Sequence, residues 1–393
     1  MFQFLSLILI YAFLSFGGVL PYSRFLLVIL WLAGIAVFLI FSCIRSKAVD
    51  LRLVTILIIG MSIASLIDLT LGLWCFAIGW SWIAAHRQES QVIKFFHILL
   101  VIGILEAILG LTQYFFNPGW VLGFQNPTTF AASGTLVNRN HFAGILEMLI
   151  PVAFGLAYIG IRRYENIARS YVYLLAGALM GIALVFTLSR MGLFSFLMSL
   201  LFMGMILWFR RAERSLGSAL ALLLPVLVLA GALWIGVDVV VKRFARLADD
   251  SASFTEGRMN VFRDTLRMIA DNPTGIGAGN YVDVFRQYQT FSVDKLFDHT
   301  HNDYLETAVE WGVPIAAAFW LFIFGTLFHS VRTVWSDGSP ERIGILLACS
   351  GAIFSILVHS LVDFNLQIPS NAMLFLSFVG VASAVSLKTV QTE

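Results

Sequence analysis

Two arginines and one histidine are the residues of this chain whose type and setting could do chemistry. Arg190 closes an apolar run in Thr187-Leu188-Ser189-Arg190-Met191-Gly192, Arg258 follows Glu256-Gly257, and His301 stands in Asp298-His299-Thr300-His301-Asn302-Asp303. Guanidinium groups grip phosphate oxygens through a two-pronged fork and stay charged at any working pH. A histidine of ordinary near-neutral pKa can take the proton of an attacking hydroxyl. A diphosphate leaves already anionic, so it needs charge stabilisation more than a proton. Two arginines and a histidine therefore fit glycosyl transfer from a lipid-linked diphosphate, without metal or nucleotide. Taken singly, each residue also has an ordinary reading: a helix-end arginine reaching for headgroups, or a solvated surface charge.

Other patterns carry less. Gly275, Gly277 and Gly279 spell G-x-G-x-G, but no strand precedes them and no long helix opens directly after, so they read as a flexible turn rather than a dinucleotide site. His299 and His301 form H-x-H, yet no third metal ligand stands at a recognisable spacing, and no metal or cofactor is expected. Cys43, Cys75 and Cys349 lie in apolar runs and read as small core residues.

Such residues need a scaffold, and composition names its class. Of 393 residues, 59% are hydrophobic and 12% charged, with 35 Phe and a mean hydropathy of +0.87. Soluble domains carry about 25% charged residues. A water-soluble globule, a nucleic-acid binder and a disordered chain are excluded, and the expectation is an all-α polytopic membrane protein. A span needs about 20 apolar residues. About twelve segments qualify: 2–20, 24–44, 51–67, 69–85, 92–116, 141–161, 171–189, 191–209, 216–237, 304–328, 343–362 and 369–387. The first lacks a basic leader and a cleavage site, so it does not read as a signal peptide. The third and fourth divide one long apolar stretch at Asp68–Thr70.

The placement of Lys and Arg orients the chain. With a cytoplasmic N-terminus, the inner loops and the C-terminal tail hold fourteen of the 25. The short outer loops hold Arg24, Arg139 and Arg190 alone. Long loops cross largely regardless of charge, so this asymmetry puts both termini in the cytoplasm. The other basic residues lie in one long outer loop, 238–300. Within it Met259, Phe262, Leu266 and Ile269 recur at helical spacing, and Pro273 stops the pattern. The loop is expected to hold an amphipathic helix lying on the membrane or over the bundle, capping an outward-facing cavity. Four regions follow: N-terminal helices 1–116, central helices 117–237, the external catalytic loop 238–300, and C-terminal helices 301–393.

At these residues the chain resembles the O-antigen ligase superfamily, which includes the related O-antigen polymerases. The parts that carry the resemblance are Asn138-Arg139-Asn140-His141-Phe142-Ala143, Thr187 to Gly192, Gly257-Arg258 with Asn272-Pro273-Thr274-Gly275-Ile276-Gly277, His301 to Glu306 with Glu310-Trp311-Gly312, and His359-Ser360-Leu361-Val362-Asp363-Phe364. The resemblance implies a bacterial inner-membrane enzyme that moves a glycan from undecaprenyl diphosphate to an acceptor hydroxyl on the periplasmic side. Arg190 and Arg258 match the family's diphosphate-gripping arginines, and His301 matches its proposed base. Met191 stands where members commonly carry Gly. Arg139 and His141 could line the site, and His299 has no counterpart carried over. Glu106 and Glu147 fall within spans, pairing with polar neighbours or facing a polar cavity. The acceptor would be lipid A-core for a ligase or a second lipid-linked glycan for a polymerase. A transporter is the alternative from another class, but the two halves show no internal repeat.

Overall fold

The computed structural model describes residues 2–20, 22–31, 33, 69–87, 89–125, 130–210, 257–291 and 297–387. In chain order the helices are α1 Phe2–Leu14, α2 Tyr22–Trp31, α3 Leu69–Arg87, α4 Glu89–Phe116, α5 Arg139–Tyr164, α6 Ile167–Phe186 and α7 Arg190–Phe209. After the region outside the described residues come α8 (257–271), α9 Tyr281–Tyr288, α10 Asp303–Trp311, α11 Val313–Ser336, α12 Pro340–His359 and α13 Pro369–Leu387. One hairpin, Trp120–Val121 with Phe124–Gln125, is the sheet among the described residues.

Seven of these helices, α4 to α7 and α11 to α13, are long and apolar enough to cross a membrane. The expected spans 51–67 and 216–237, most of 24–44, and the loop residues 238–256 lie outside the described residues. Two expected spans change shape. The first helix ends at Leu14 after 13 residues, about 20 Å of rise, and a tight turn with Gly17 at φ 78° follows. The expected span 304–328 is two helices: Gly312 takes φ 85° between α10 and α11, and Pro314 then sits in the first turn of α11. A proline there costs no hydrogen bond, because the first turn of a helix has no intrahelical acceptor for that N–H.

Burial sorts the bundle into centre and rim. The apolar windows of α5 and α13 are 89% buried and that of α12 83%, against 33% for α11. The rim helices turn Leu105, Phe194, Leu201, Leu321 and Phe328 outward, a pattern that suits hydrocarbon rather than water. The two central helices α5 and α12 approach through glycines: a Cβ on Gly344 would meet the Gly155 carbonyl oxygen at 2.8 Å. Small residues at such contacts let backbones come close. Pro151 lies inside α5 and lacks the N–H that would bond the Glu147 carbonyl four residues back. The Ser355 hydroxyl of α12 lies 3.3 Å from that carbonyl oxygen, so the second helix occupies the gap in the first.

Charged groups mark both ends of the bundle. At one end Arg342 pairs with Asp337 at 2.6 Å and approaches Glu89 at 4.0 Å, Arg163 pairs with Glu341, and Arg210 donates to the Val334 carbonyl. The other end gathers the starts of α5, α7 and α13, the ends of α6 and α12, and a small lobe. The lobe has its own core of Val261, Met268, Tyr281, Phe285 and Val309.

Candidate functional site

The lobe is locked to the bundle by the glycines that read as a flexible turn. Ile276 N–H donates to the Val309 carbonyl, Gly277 N–H to the Glu310 carbonyl, and Val313 N–H to the Pro273 carbonyl. The Glu310 carboxylate accepts from Gly279 N–H at 2.9 Å. Gly275 has φ 91°, and a Cβ there would meet the Glu310 carbonyl oxygen at 2.6 Å. A side chain fits neither the backbone angle nor the space. The turn is a rigid clasp on the C-terminal end of α10.

Within α8 the face buried in the lobe is partly polar. Met259 and Leu266 are each 56% exposed, while Val261, Asp264, Thr265 and Met268 are buried. The polar members are satisfied from α9 and beyond: Asp264 accepts from Thr290 N–H at 2.8 Å, and Thr265 shares a hydrogen bond with the Tyr281 hydroxyl at 3.0 Å. Hydrogen bonding removes the usual cost of burying such groups, so the apolar periodicity did not set the register.

The segment from His299 to Tyr304 is pinned to the turn that follows α12. Asn302 caps α10 by accepting from Leu305 N–H and donates through Nδ2 to the Leu361 carbonyl at 2.8 Å. Asp303 is fully buried; it accepts from the Ser360 hydroxyl at 2.7 Å and from Leu366 N–H at 3.2 Å. The Tyr304 hydroxyl donates to the Leu357 carbonyl at 2.7 Å. Held at this corner, His301 takes φ 54°, a left-handed conformation that costs energy in any residue but glycine.

Around the turn three imidazoles converge on Asp363. Its carboxylate lies 3.8 Å from His301 Nδ1, 3.7 Å from His359 Nε2 and 4.0 Å from His141 Nε2. His359 Nδ1 is in turn 3.0 Å from the buried Glu147 carboxylate. Burial alone would raise the Asp363 carboxyl, but the imidazoles of His301, His359 and His141 together hold it well below the usual carboxylate range. Asp363 is 2% exposed, whereas the His301 side chain keeps 20% of its surface open. His301 is thus the most exposed member of this set.

Phe364 is the hydrophobic post of the site. His299 stacks on its ring at 4.2 Å between centroids, and His141 and His301 meet it edge-on at 4.8 and 4.9 Å. His299 Nδ1 is bonded to the Glu306 carboxylate. Burial alone would lower its imidazole; the bond to Glu306 and the charges of Glu306, Asp298 and Glu310 outweigh that and raise it above the ordinary value. Arg258 reaches the same turn, donating from Nη1 to the Val362 carbonyl at 3.0 Å. Burial lowers its guanidinium from the usual value, with Asp363 opposing.

The sequence-derived residues therefore fall into two groups. His301, Arg258 and His141 share the turn at 359–364. Arg190 and Arg139 begin α7 and α5, whose first turns pack together: a Cβ on Gly192 would meet Ala143 at 2.5 Å. Ser189 caps α7 by accepting from Gly192 N–H, and Leu188 before it takes φ 55°. Both arginines stand at the site end of the bundle. Glu106, expected to pair with polar neighbours, accepts from Thr135 N–H and its hydroxyl at 3.0 and 2.7 Å. With Gln113, which binds Ser133 and Gly134, it anchors the buried connection leading into α5. Asp363, His359, Glu147, Phe364 and Glu306 were assigned no site role from sequence, although all but Glu147 stand in the motifs that carry the resemblance. Among the described residues, no three His, Cys, Asp or Glu groups are arranged to hold a metal ion.

Residues 175–321 match the family model described as O-antigen ligase. The match supports the superfamily resemblance carried by the motifs and points to a membrane enzyme of the ligase or polymerase type. It spans less than half of the chain but takes in Arg190, Arg258, His299 and His301. No curated protein matches the chain.

Proposed function

We propose that this membrane protein of the O-antigen ligase superfamily is a glycosyltransferase that moves a glycan from undecaprenyl diphosphate to an acceptor hydroxyl. The observation that carries the reading is the convergence of His301, Arg258 and Asp363 on one rigid turn at the end of the bundle away from the basic loops. His301 takes the proton of the acceptor hydroxyl as the acceptor oxygen bonds the anomeric carbon. The bond from that carbon to the donor phosphate breaks on the opposite side, and undecaprenyl diphosphate leaves with the electron pair. Arg258 and Arg190 grip the diphosphate and hold its growing charge, which is the main electrostatic task of the transition state. Asp363 orients His301 and stabilises the imidazolium that forms. Arg139 and His141 line the site, and residues 238–300 act as the catalytic loop between the central and C-terminal helices. No metal takes part in this mechanism.

In this reading the acceptor is lipid A-core, the site opens to the periplasm of a bacterial inner membrane, and both termini are cytoplasmic. A polymerase joining lipid-linked repeat units would use the same groups. Deleting the gene separates them: free core with accumulated long lipid-linked chains identifies a ligase, and core capped by single repeats identifies a polymerase. Arg258→Ala or Arg190→Ala should nearly abolish transfer with expression intact, since each charge-assisted contact contributes about 1.5–3 kcal/mol. Lys should restore only part of it, lacking the fork. Unaltered glycan transfer by Arg258→Ala would remove that residue from the mechanism.

A further inference from the structure

His299 has two built-in restraints and a remaining free edge. Its ring lies against Phe364, and Nδ1 is bonded to Glu306. Glu306 is 1% exposed, and its second oxygen accepts from Thr300 N–H and the Thr300 hydroxyl, each at 3.1 Å. That carboxylate is fixed, so the imidazole is fixed with it. The ring edge opposite Glu306 carries Nε2, and 29% of the side chain remains exposed. Arg258 is bonded to Val362, two residues from the Phe364 ring on which His299 rests. His301 touches the edge of the same ring.

A carboxylate on one imidazole nitrogen stabilises the proton on the other, leaving a cationic N–H donor aimed outward. Such a donor suits a phosphate oxygen. We propose that His299 is a third cationic contact to the diphosphate of the donor lipid, presenting Nε2–H to the departing phosphate beside Arg258. This rests on the donor assignment above. The two histidines of H-x-H then have different tasks: His301 receives a proton, and His299 keeps one. The charged and titratable groups that bear on His299 are Glu306 and Glu310 of α10, Asp298 beside it and His141 of α5. His301 meets the edge of the same Phe364 ring, Asp363 belongs to the turn that carries that ring, and Arg258 is bonded to the turn. Against the effect of burial, the bond to Glu306 and the charges of Glu306, Asp298 and Glu310 raise the His299 imidazole above its ordinary value.

The test is equilibrium binding of farnesyl diphosphate to the full-length protein in detergent from pH 6 to 9, with farnesol as the uncharged control. His299→Gln should weaken binding at pH 6 by about tenfold to a hundredfold, the range for one charge-assisted hydrogen bond. The loss should shrink as pH rises and the wild-type imidazole gives up its proton; titration of the probe is common to both proteins. His299→Lys keeps a cation across the range and should hold its affinity better than wild type as pH rises. If His299→Gln tracks wild type at every pH while Arg258→Ala loses binding, His299 is not a contact. If His299→Lys melts like wild type yet binds like His299→Gln, charge at this position contributes nothing and the proposal is overturned. If wild type prefers no diphosphate over farnesol, or Arg258→Ala binds unchanged, it is the donor assignment that fails.

Discussion

Replacing Asp363 by Asn keeps the shape of the side chain and removes its charge. The charge matters most once His301 has taken the acceptor proton, so the change should act chiefly on the transition state rather than on donor binding. At the 3.8 Å separation of Asp363 and His301 Nδ1, two unit charges at an effective dielectric constant of about 20 interact by about 4 kcal/mol. Water reaching the open edge of His301 lowers this to about 3 kcal/mol, or roughly 10²-fold in rate. Initial rates of purified Asp363→Asn with a lipid-diphosphate-linked donor should therefore show kcat down by about two orders of magnitude. The KM for the donor should stay within a few-fold. A variant with kcat within threefold of wild type would refute the idea that Asp363 supports the imidazolium. A loss confined to KM would instead move Asp363 to the donor side of the site.

His301→Ala should lower the transfer rate by roughly 10²–10⁴-fold with diphosphate binding retained, and EDTA should leave the purified enzyme unaffected; inhibition by EDTA that zinc or manganese reverses would mean that His301 is a metal ligand. The raised imidazole of His299 also links folding to pH. A group held above its unfolded value, about 6.5, contributes stability in full below that pH and loses it as pH rises through the folded value. Melting curves from pH 6 to 9 should thus show wild type losing more stability than His299→Gln, and parallel curves would argue against the link. Gly312→Ala should lower the melting temperature and the yield of folded protein, because a Cβ there would meet the Thr274 carbonyl carbon at 2.5 Å with φ at 85°. An unchanged melting temperature would mean that the clasp yields.

Membrane character and most described helices were legible in the sequence, because each is written in a local run of residues, and so were His301, Arg258 and His141, which the fold brings to one turn. The last helix begins and ends where its apolar run does, at Pro369 and Leu387. The break at Gly312 was missed because the apolar run continues through it, although Pro314 two residues on is a start signal for a helix. The burial of Asp264 and Thr265 within α8 was not foreseen, because their partners at Thr290 and Tyr281 lie beyond what periodicity within the helix sees. Asp363 and His359 stood in plain view in their motif. Their role depends on Ser360 and Asp303 joining segments 57 residues apart, and no local pattern encodes that junction.

The separation of α10 from α11 bears on how the protein meets bilayers of different thickness. Of the seven spans, α11 has the least buried apolar window, so its tilt is the most open to lipid control. Membrane helices answer a thickness mismatch chiefly by tilting. Were residues 303–336 one rod, such a tilt would swing His301 through the site as on a lever. With the rod broken at Gly312, a tilt of α11 passes to α10 through Trp320, whose indole donates to the Thr307 hydroxyl and whose ring packs on Tyr304. It is opposed by the ties of Asn302, Asp303 and Tyr304 to the α12–α13 turn, which hold the histidine in register with Asp363.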